Sequence, residues 1–336
     1  MKHSGRIVGV LCAALACSAD VEATEGGGSL YLPGVHGPLA GFVPPPAFYL
    51  ANDVFYYSGE LKGGKRIQIG GAVVADVKAE IALNFLTPTW ITPVKILGGD
   101  LGFAVSIPFG SPRVQAGALI TAPRLGRSVT FRADDNVFNV GDPVVSTLIG
   151  WHAGNFHWSL TGSASIPSGS YREGALSNVS FNRPIGDVTA ALTWLEPTLG
   201  LDLSGAVGFE INGENPATDY RSGNAVHFDV AVTKNLTKEL NIGFLAGHYE
   251  QVSADRGSSF VGAFKGRTTA VGGTMNYTFR VGDTPVSAGI RILREIEVQN
   301  RPQGTMGFLT VSFPLGGPSA PASAIQDTRR TLVARN

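Results

Sequence analysis

The chain has 336 residues, 15% of them charged, and a net charge of zero at pH 7. A balanced charge excludes a global field aimed at nucleic acid or anionic lipid. The 44 glycines disfavour helix, because Gly costs about 1 kcal/mol against Ala in a helix interior, and so few charges argue against disorder.

Residues 1–23 read as an export signal. Lys2, His3 and Arg6 form a basic start, residues 7–16 (IVGVLCAALA) an apolar core, and small residues come next. Val21-Glu22-Ala23 suits a signal peptidase, which sets the mature start at Thr24. Lipid attachment at Cys17 is the alternative. Both cysteines, Cys12 and Cys17, fall within this signal, so the mature chain is expected to hold itself together without disulfides.

Residues 24–46 contain GGGS, YLPG and Pro44-Pro45-Pro46, a composition that predicts an irregular segment. It is either a periplasmic leader or a plug inside the strand-rich remainder of the chain.

From residue 47 to 315 the recurring signal is period two, the mark of strands with two unlike faces. Residues 156–166 put Phe156, Trp158, Leu160, Gly162, Ala164 and Ile166 on one face, and His157 with serines and a threonine on the other. Residues 199–212 alternate Leu201, Leu203, Val207, Phe209 and Ile211 against Asp202, Ser204, Glu210 and Asn212. Residues 187–194, 227–233 and 271–279 behave alike. In residues 72–86, Val73, Ala75, Val77, Ala79, Ile81, Leu83 and Phe85 oppose Asp76, Lys78, Glu80 and Asn84. Wound as a helix, that stretch would set Asp76 and Glu80 on one face as like charges.

The strands are long, and roughly 9–11 tilted residues cross a bilayer. Short links (near 152–154, 196–198, 234–238 and 281–284) alternate with long polar ones (167–186, 213–220, 251–262 and 298–303). This is the pattern of an all-β, transmembrane antiparallel β-barrel. A soluble β-sandwich also alternates, but its strands are usually shorter. Trp151, Phe156, Trp158, Trp194 and Tyr277 near strand ends suit an interfacial girdle. Thirteen starts are readable, near residues 48, 67, 96, 112, 143, 155, 187, 199, 221, 239, 264, 285 and 304. A single-chain bacterial barrel needs an even number. Twelve strands are therefore expected, with fourteen the alternative. The suspect stretches are 48–57 and 114–132. Residues 316–336 read as a disordered periplasmic tail.

ENPATDYRSG (214–223) with HFDVAV (227–232), GAFKGR (262–267) and REIEVQNRPQG (294–304) resembles the family named for the meta-cleavage pathway of phenol degradation. GDP (141–143), WHAGNFHWS (151–159), TEGGGSLYLPG (24–34) and PPPAFYLANDVFYY (44–57) look like the same family. The resemblance implies an outer-membrane barrel, often encoded beside catabolic genes, that serves as a channel for aromatic or other hydrophobic compounds. It implies no catalytic residues.

If the apolar faces meet lipid, Asp76, Lys78, Glu80, Asp202, Glu210, Asp229, Arg291 and Glu295 line the lumen. They then form either a salt-bridged polar core or the wall of a wet pore. The extracellular rim is expected to hold Glu214, Asp219, Tyr220, Arg221 and Arg301. There Asp219, Arg221, Glu295 and Arg301 are expected to pair in charge. His152 and His157 flank a turn without a nearby Cys or paired carboxylate, and read as polar turn and lumen residues. His227 and His248 are single histidines on strands. No G-x-S-x-G elbow is present, and scattered Ser, His and Asp make no triad without geometry. The expected protein is a non-enzymatic channel of the bacterial outer membrane without cofactor or metal. Its expected partners are outer-membrane lipid, the assembly machinery and a small hydrophobic or aromatic solute. A non-conducting structural or surface-interaction barrel is the alternative, and an outer-membrane hydrolase the third reading.

Overall fold

The computed structural model describes residues 27–61, 66–69, 72–122, 127–257 and 265–316. The signal expected at 1–23, the lipidation alternative at Cys17 and the tail expected from residue 317 onward lie outside the described residues.

Twelve strands form the wall. In chain order they are β1 (Ala47–Glu60), β2 (Ala72–Ile96), β3 (Gly99–Ala122), β4 (Val144–Ala153), β5 (Phe156–Ser165), β6 (Ile185–Glu196), β7 (Leu201–Asn212), β8 (Ala225–Asn235), β9 (Leu240–Gln251), β10 (Arg267–Val281), β11 (Thr284–Gln299) and β12 (Gln303–Gly316). Each pairs antiparallel with the next, and β12 pairs with β1, with Val54 opposite Leu309. The barrel is therefore closed. A bilayer supplies no water to exposed backbone groups, and closure removes the edges that would need it.

The start expected near 112 falls inside β3, which runs unbroken from Gly99 to Ala122. Pro108, Gly110 and Pro112 interrupt the side-chain pattern there without ending the strand, and the suspect stretch 114–132 spans the end of β3 and the start of the separate strand Arg127–Asn136. The start near 67 belongs to a short strand, Arg66–Ile69, that pairs with the beginning of β2. The stretch 48–57 is part of a full strand.

β2 and β3 have 25 and 24 residues, more than twice what spans a bilayer. Their excess rises above the extracellular side, beside Arg66–Ile69 and Arg127–Asn136. Leu61, Ile67, Ile69, Val74, Val77, Val114 and Ala116 form the core of this extension. On the opposite side the turns are tight. Leu97 and Gly98 both take positive φ (51° and 79°), as a two-residue hairpin turn requires.

Alternation sorts the wall. Val188, Leu192, Leu203, Val207, Phe228, Val230, Val232, Phe244 and Ile292 point outward and are exposed to lipid. An aromatic belt marks the periplasmic boundary, with Phe48 stacked on Trp90 and Trp151 on Trp158. Trp194 and Tyr277 stand at the same ends of their strands. This apolar band with its belt is the outer surface of a bacterial outer-membrane barrel.

Val230 lies near the middle of β8 and is 55% exposed. Val230→Arg should lower unfolding stability in lipid vesicles by roughly 2–4 kcal/mol, read by denaturant titration, because the charge sits near the bilayer midplane.

Candidate functional site

The lumen is not empty. Residues 28–43 run along its inner wall from the extracellular end to the periplasmic end, where β1 begins. This stretch has no ladder partner, so its buried N–H groups need other acceptors. Three wall carboxylates provide them. Near the extracellular end, Glu210 accepts from Ser29 Oγ at 2.6 Å and from Leu30 N at 3.0 Å. Midway, Asp229 accepts from Tyr31 Oη at 2.8 Å, Gly34 N at 2.8 Å and His36 N at 3.2 Å. Near the periplasmic end, Asp202 accepts from Leu39 N at 3.0 Å. Hydrogen bonds to an ionised acceptor are about twice as strong as neutral ones, which suits a segment held by side chains alone.

Two arginines complete the seat by donating to its carbonyls. Arg183 is 1% exposed and donates to Gly28 O at 3.1 Å. Arg291 donates to Gly34 O at 2.8 Å and Val35 O at 2.9 Å, pairs with Asp53 at 3.0 Å, and lies over the Phe308 ring. Tyr31 stacks on His227 with centroids 4.2 Å apart, and His227 Nε2 is 2.8 Å from Asp187 Oδ2. Two glycines allow the close fit. Gly34 has φ +82°, and a Cβ there would meet Leu293 and Leu245 within about 3 Å. A Cβ on Gly41 would lie 2.5 Å from His157 O and 2.8 Å from Thr193 N.

The segment leans on β4 to β9 and on β11, and its Leu32 packs against an apolar cluster of the wall. Ile81, Leu83 and Phe85 of β2 face inward against the cluster of Phe55, Leu245, Leu293, Met306 and Phe308, yet stay half-buried. Below them, toward the periplasm, Thr87 bonds Ser106 at 2.9 Å, and on the neighbouring hairpin Ser146 meets Ser163 at 2.8 Å. All four are half-buried. The result is a lane lined by hydrocarbon and hydroxyl groups. Among the described residues, the ionised pair along it is Asp53–Arg291.

A folded loop, residues 166–184, covers the extracellular end. Asp142 is 2% exposed and accepts from Gly169 N, Ser180 Oγ, Phe181 N and Asn182 N at 2.7–3.1 Å. Asp135 accepts from Arg172 and from Ser177 N. Val179 of this loop is buried and packs against Gly141.

The structure brings together most of the residues expected in the lumen. Asp202, Glu210, Asp229 and Glu295 are buried on the inner face, and Arg291 lies beside Gly34. Lys78 and Glu80 require a correction. The expected lipid face of β2, with Ile81, Leu83 and Phe85, points into the lumen, so Lys78 and Glu80 stand on the outer face of the extracellular extension. Asp76, exposed with φ 51°, sits where the register shifts between Ala75 and Lys78. The outer partners of this stretch are polar at that height, Arg113 opposite Glu80 among them. Simple alternation does not reveal the reversal, because both faces of an extension above the membrane tolerate charge.

The charge-paired rim is also corrected. Among the described residues, no ion pair joins Asp219, Arg221, Glu295 and Arg301. Glu295 instead accepts from Tyr57 Oη, Thr268 Oγ1 and Gly304 N. Arg301 lies over Tyr249, its guanidinium carbon 4.7 Å from the ring centroid. Arg221 Nε donates to Asn212 O at 2.9 Å. Glu214 and Arg221 face each other in a small sheet of Glu214–Asn215, Tyr220–Arg221 and Arg256–Gly257. Asp219 turns the chain there with φ 49°. Tyr220 Oη donates to Asp255, whose carboxyl is raised by burial against the opposing pull of Tyr220, Gly223 and Gln251. Sequence reasoning missed Asp53, Asp142, Asp187 and Arg183. Asp142 lies in the GDP motif, and its signal is a lone acid between Gly and Pro.

The family model described as "Putative MetA-pathway of phenol degradation" matches residues 63–311. The chain belongs to this family. No curated protein matches it. Among solved structures, an outer membrane channel of Pseudomonas putida F1 is similar with TM-score 0.63 and 15% identity, over 81% of this chain and 96% of that one. The toluene transporter TbuX of Ralstonia pickettii gives TM-score 0.42 at 7% identity, over 83% of this chain and 92% of that one. A FadL homologue of Pseudomonas aeruginosa gives 0.42 at 11% identity, over 88% and 97%. The first of these likenesses shows that the fold is shared.

Removing the Asp229 carboxylate leaves Gly34 N and His36 N without their acceptor, while Tyr31 Oη keeps Phe228 O at 3.0 Å. Asp229→Ala should lower unfolding stability by about 2–4 kcal/mol and raise the mean conductance of the reconstituted barrel, since the segment loses its central hold.

Proposed function

We propose that this barrel passes small, uncharged hydrophobic or aromatic molecules by diffusion. The observation that carries the reading is the lane of Ile81, Leu83, Phe85, Thr87, Ser106, Ser146 and Ser163. An ion entering it would shed water and meet charges already paired with each other, Asp53 and Arg291, a cost of several kcal/mol. A ring with a hydroxyl or carbonyl would find apolar contact at Ile81, Leu83 and Phe85 and hydrogen-bond partners below, at Thr87, Ser106, Ser146 and Ser163. Family membership and the fold shared with an outer membrane channel support the same reading. Delivery of the closed barrel to its membrane is assigned to the outer-membrane assembly machinery.

A second reading has its own support. The interior segment and the loop held by Asp142 both narrow the lumen, as they would in a structural barrel that conducts nothing. Uptake separates the two. Cells carrying the gene should take up a neutral phenol faster than cells without it at limiting concentration. Leu83→Asp should slow that uptake severalfold at unchanged barrel abundance and unchanged heat-modifiable gel mobility. Equal uptake with and without the gene would favour the structural reading.

A further inference from the structure

His152 is the last residue but one of β4 and His157 the second of β5, across the turn at Gly154 and Asn155. Alternation turns both imidazoles to the inner side, while Trp151 and Trp158 stack outward in the aromatic belt. The two Nδ1 atoms stand 2.7 Å apart, with the rings at 65°. His152 Nε2 faces Asp100 Oδ2 at 3.5 Å, and the other Asp100 oxygen is held by Lys95 at 2.8 Å. A carboxylate beside Nε2 keeps the proton there and presents the Nδ1 lone pair toward His157, the orienting arrangement found behind metal-bound histidines. Phe42 of the interior segment packs against both rings, with centroids 5.6 and 5.1 Å away. His157 is 2% exposed, and its Nε2 is buried without a partner. The His152 side chain is 34% exposed, so solvent reaches the pair.

We propose that His152 and His157 form a two-imidazole site for a divalent transition metal at the periplasmic mouth, oriented by Asp100. Metal–nitrogen bonds of about 2.0–2.1 Å set the two nitrogens roughly 2.9–3.4 Å apart, a small opening of the present pair. Among the described residues, no three metal-type side chains converge, so water fills the remaining positions. Two imidazoles with water favour Cu(II) over the other common divalent ions. His248 is the competing surface histidine, but Thr269 and Glu250 already engage its ring.

The test uses the full barrel, free of any histidine tag, in detergent with Cu(II) as the probe. One equivalent should bind with micromolar affinity, show nitrogen couplings by electron paramagnetic resonance, and quench the fluorescence of neighbouring Trp151 and Trp158. His157→Gln and His152→Gln should each remove the equivalent at unchanged heat-modifiable mobility. Asp100→Asn should weaken it about tenfold, and His248→Gln should leave it intact. Absence of saturable binding across the micromolar range overturns the proposal. Binding that survives both histidine variants, or is lost in His248→Gln, also overturns it.

Discussion

The structure depends on one constraint: a backbone polar group in a bilayer must find its partner within the protein. The wall meets it by closure, with β12 returning to β1. The stretch 28–43 cannot meet it that way, because it crosses the lumen without a ladder. Its N–H groups are met by Glu210, Asp229 and Asp202, and two of its carbonyls by Arg291. The inward charges thus serve an irregular segment more than one another. A salt-bridged core would have paired Asp229 with Arg291. Instead Arg291 pairs with Asp53, and Asp229 and Arg291 each hold the segment.

Much of the wall was legible because period two is a local signal. β5 and β7 read from single residues: in β5, Trp158 and Leu160 point out, His157 and Ser159 in. The short turns and long loops gave orientation for the same reason. What alternation could not show was which face of β2 meets lipid. That stretch has one apolar face whether its neighbour is a bilayer or an apolar lumen cluster. Its charged residues could sit outside only because the strand extends beyond the membrane, and strand length above the bilayer is a tertiary fact.

The candidate site was legible as residue types, not as partners. Asp202, Glu210 and Asp229 announce themselves as acids among apolar neighbours, but nothing in the sequence ties them to Leu39, Ser29 or Gly34, more than 160 residues earlier. The stretch ENPATDYRSG stands out through its charge. Its Arg221 goes to a backbone carbonyl, and its Tyr220 to a buried acid in the next loop. Those contacts shape the cap. The residue that holds the larger loop, Asp142, sits in a three-residue motif with little charge around it.

These placements divide the lumen into two halves. From β6 to β8 the inner face carries Thr193, Asp202, Glu210 and Asp229, the acceptors that the interior segment uses. On β2 and β3 the inner face runs from Ile81, Leu83 and Phe85 to Thr87 and Ser106, and Leu32 of the interior segment packs against the apolar cluster beside it. Had the N–H groups of the segment faced the apolar cluster, each unpaired donor would have cost roughly 1–3 kcal/mol. Polar satisfaction therefore fixes where the segment goes, and the lane is the space that this choice leaves. Its neutrality is a consequence of the same rule: the lumen's carboxylates cluster where there is backbone to satisfy, and Asp53, the acid facing the lane, is held by Arg291.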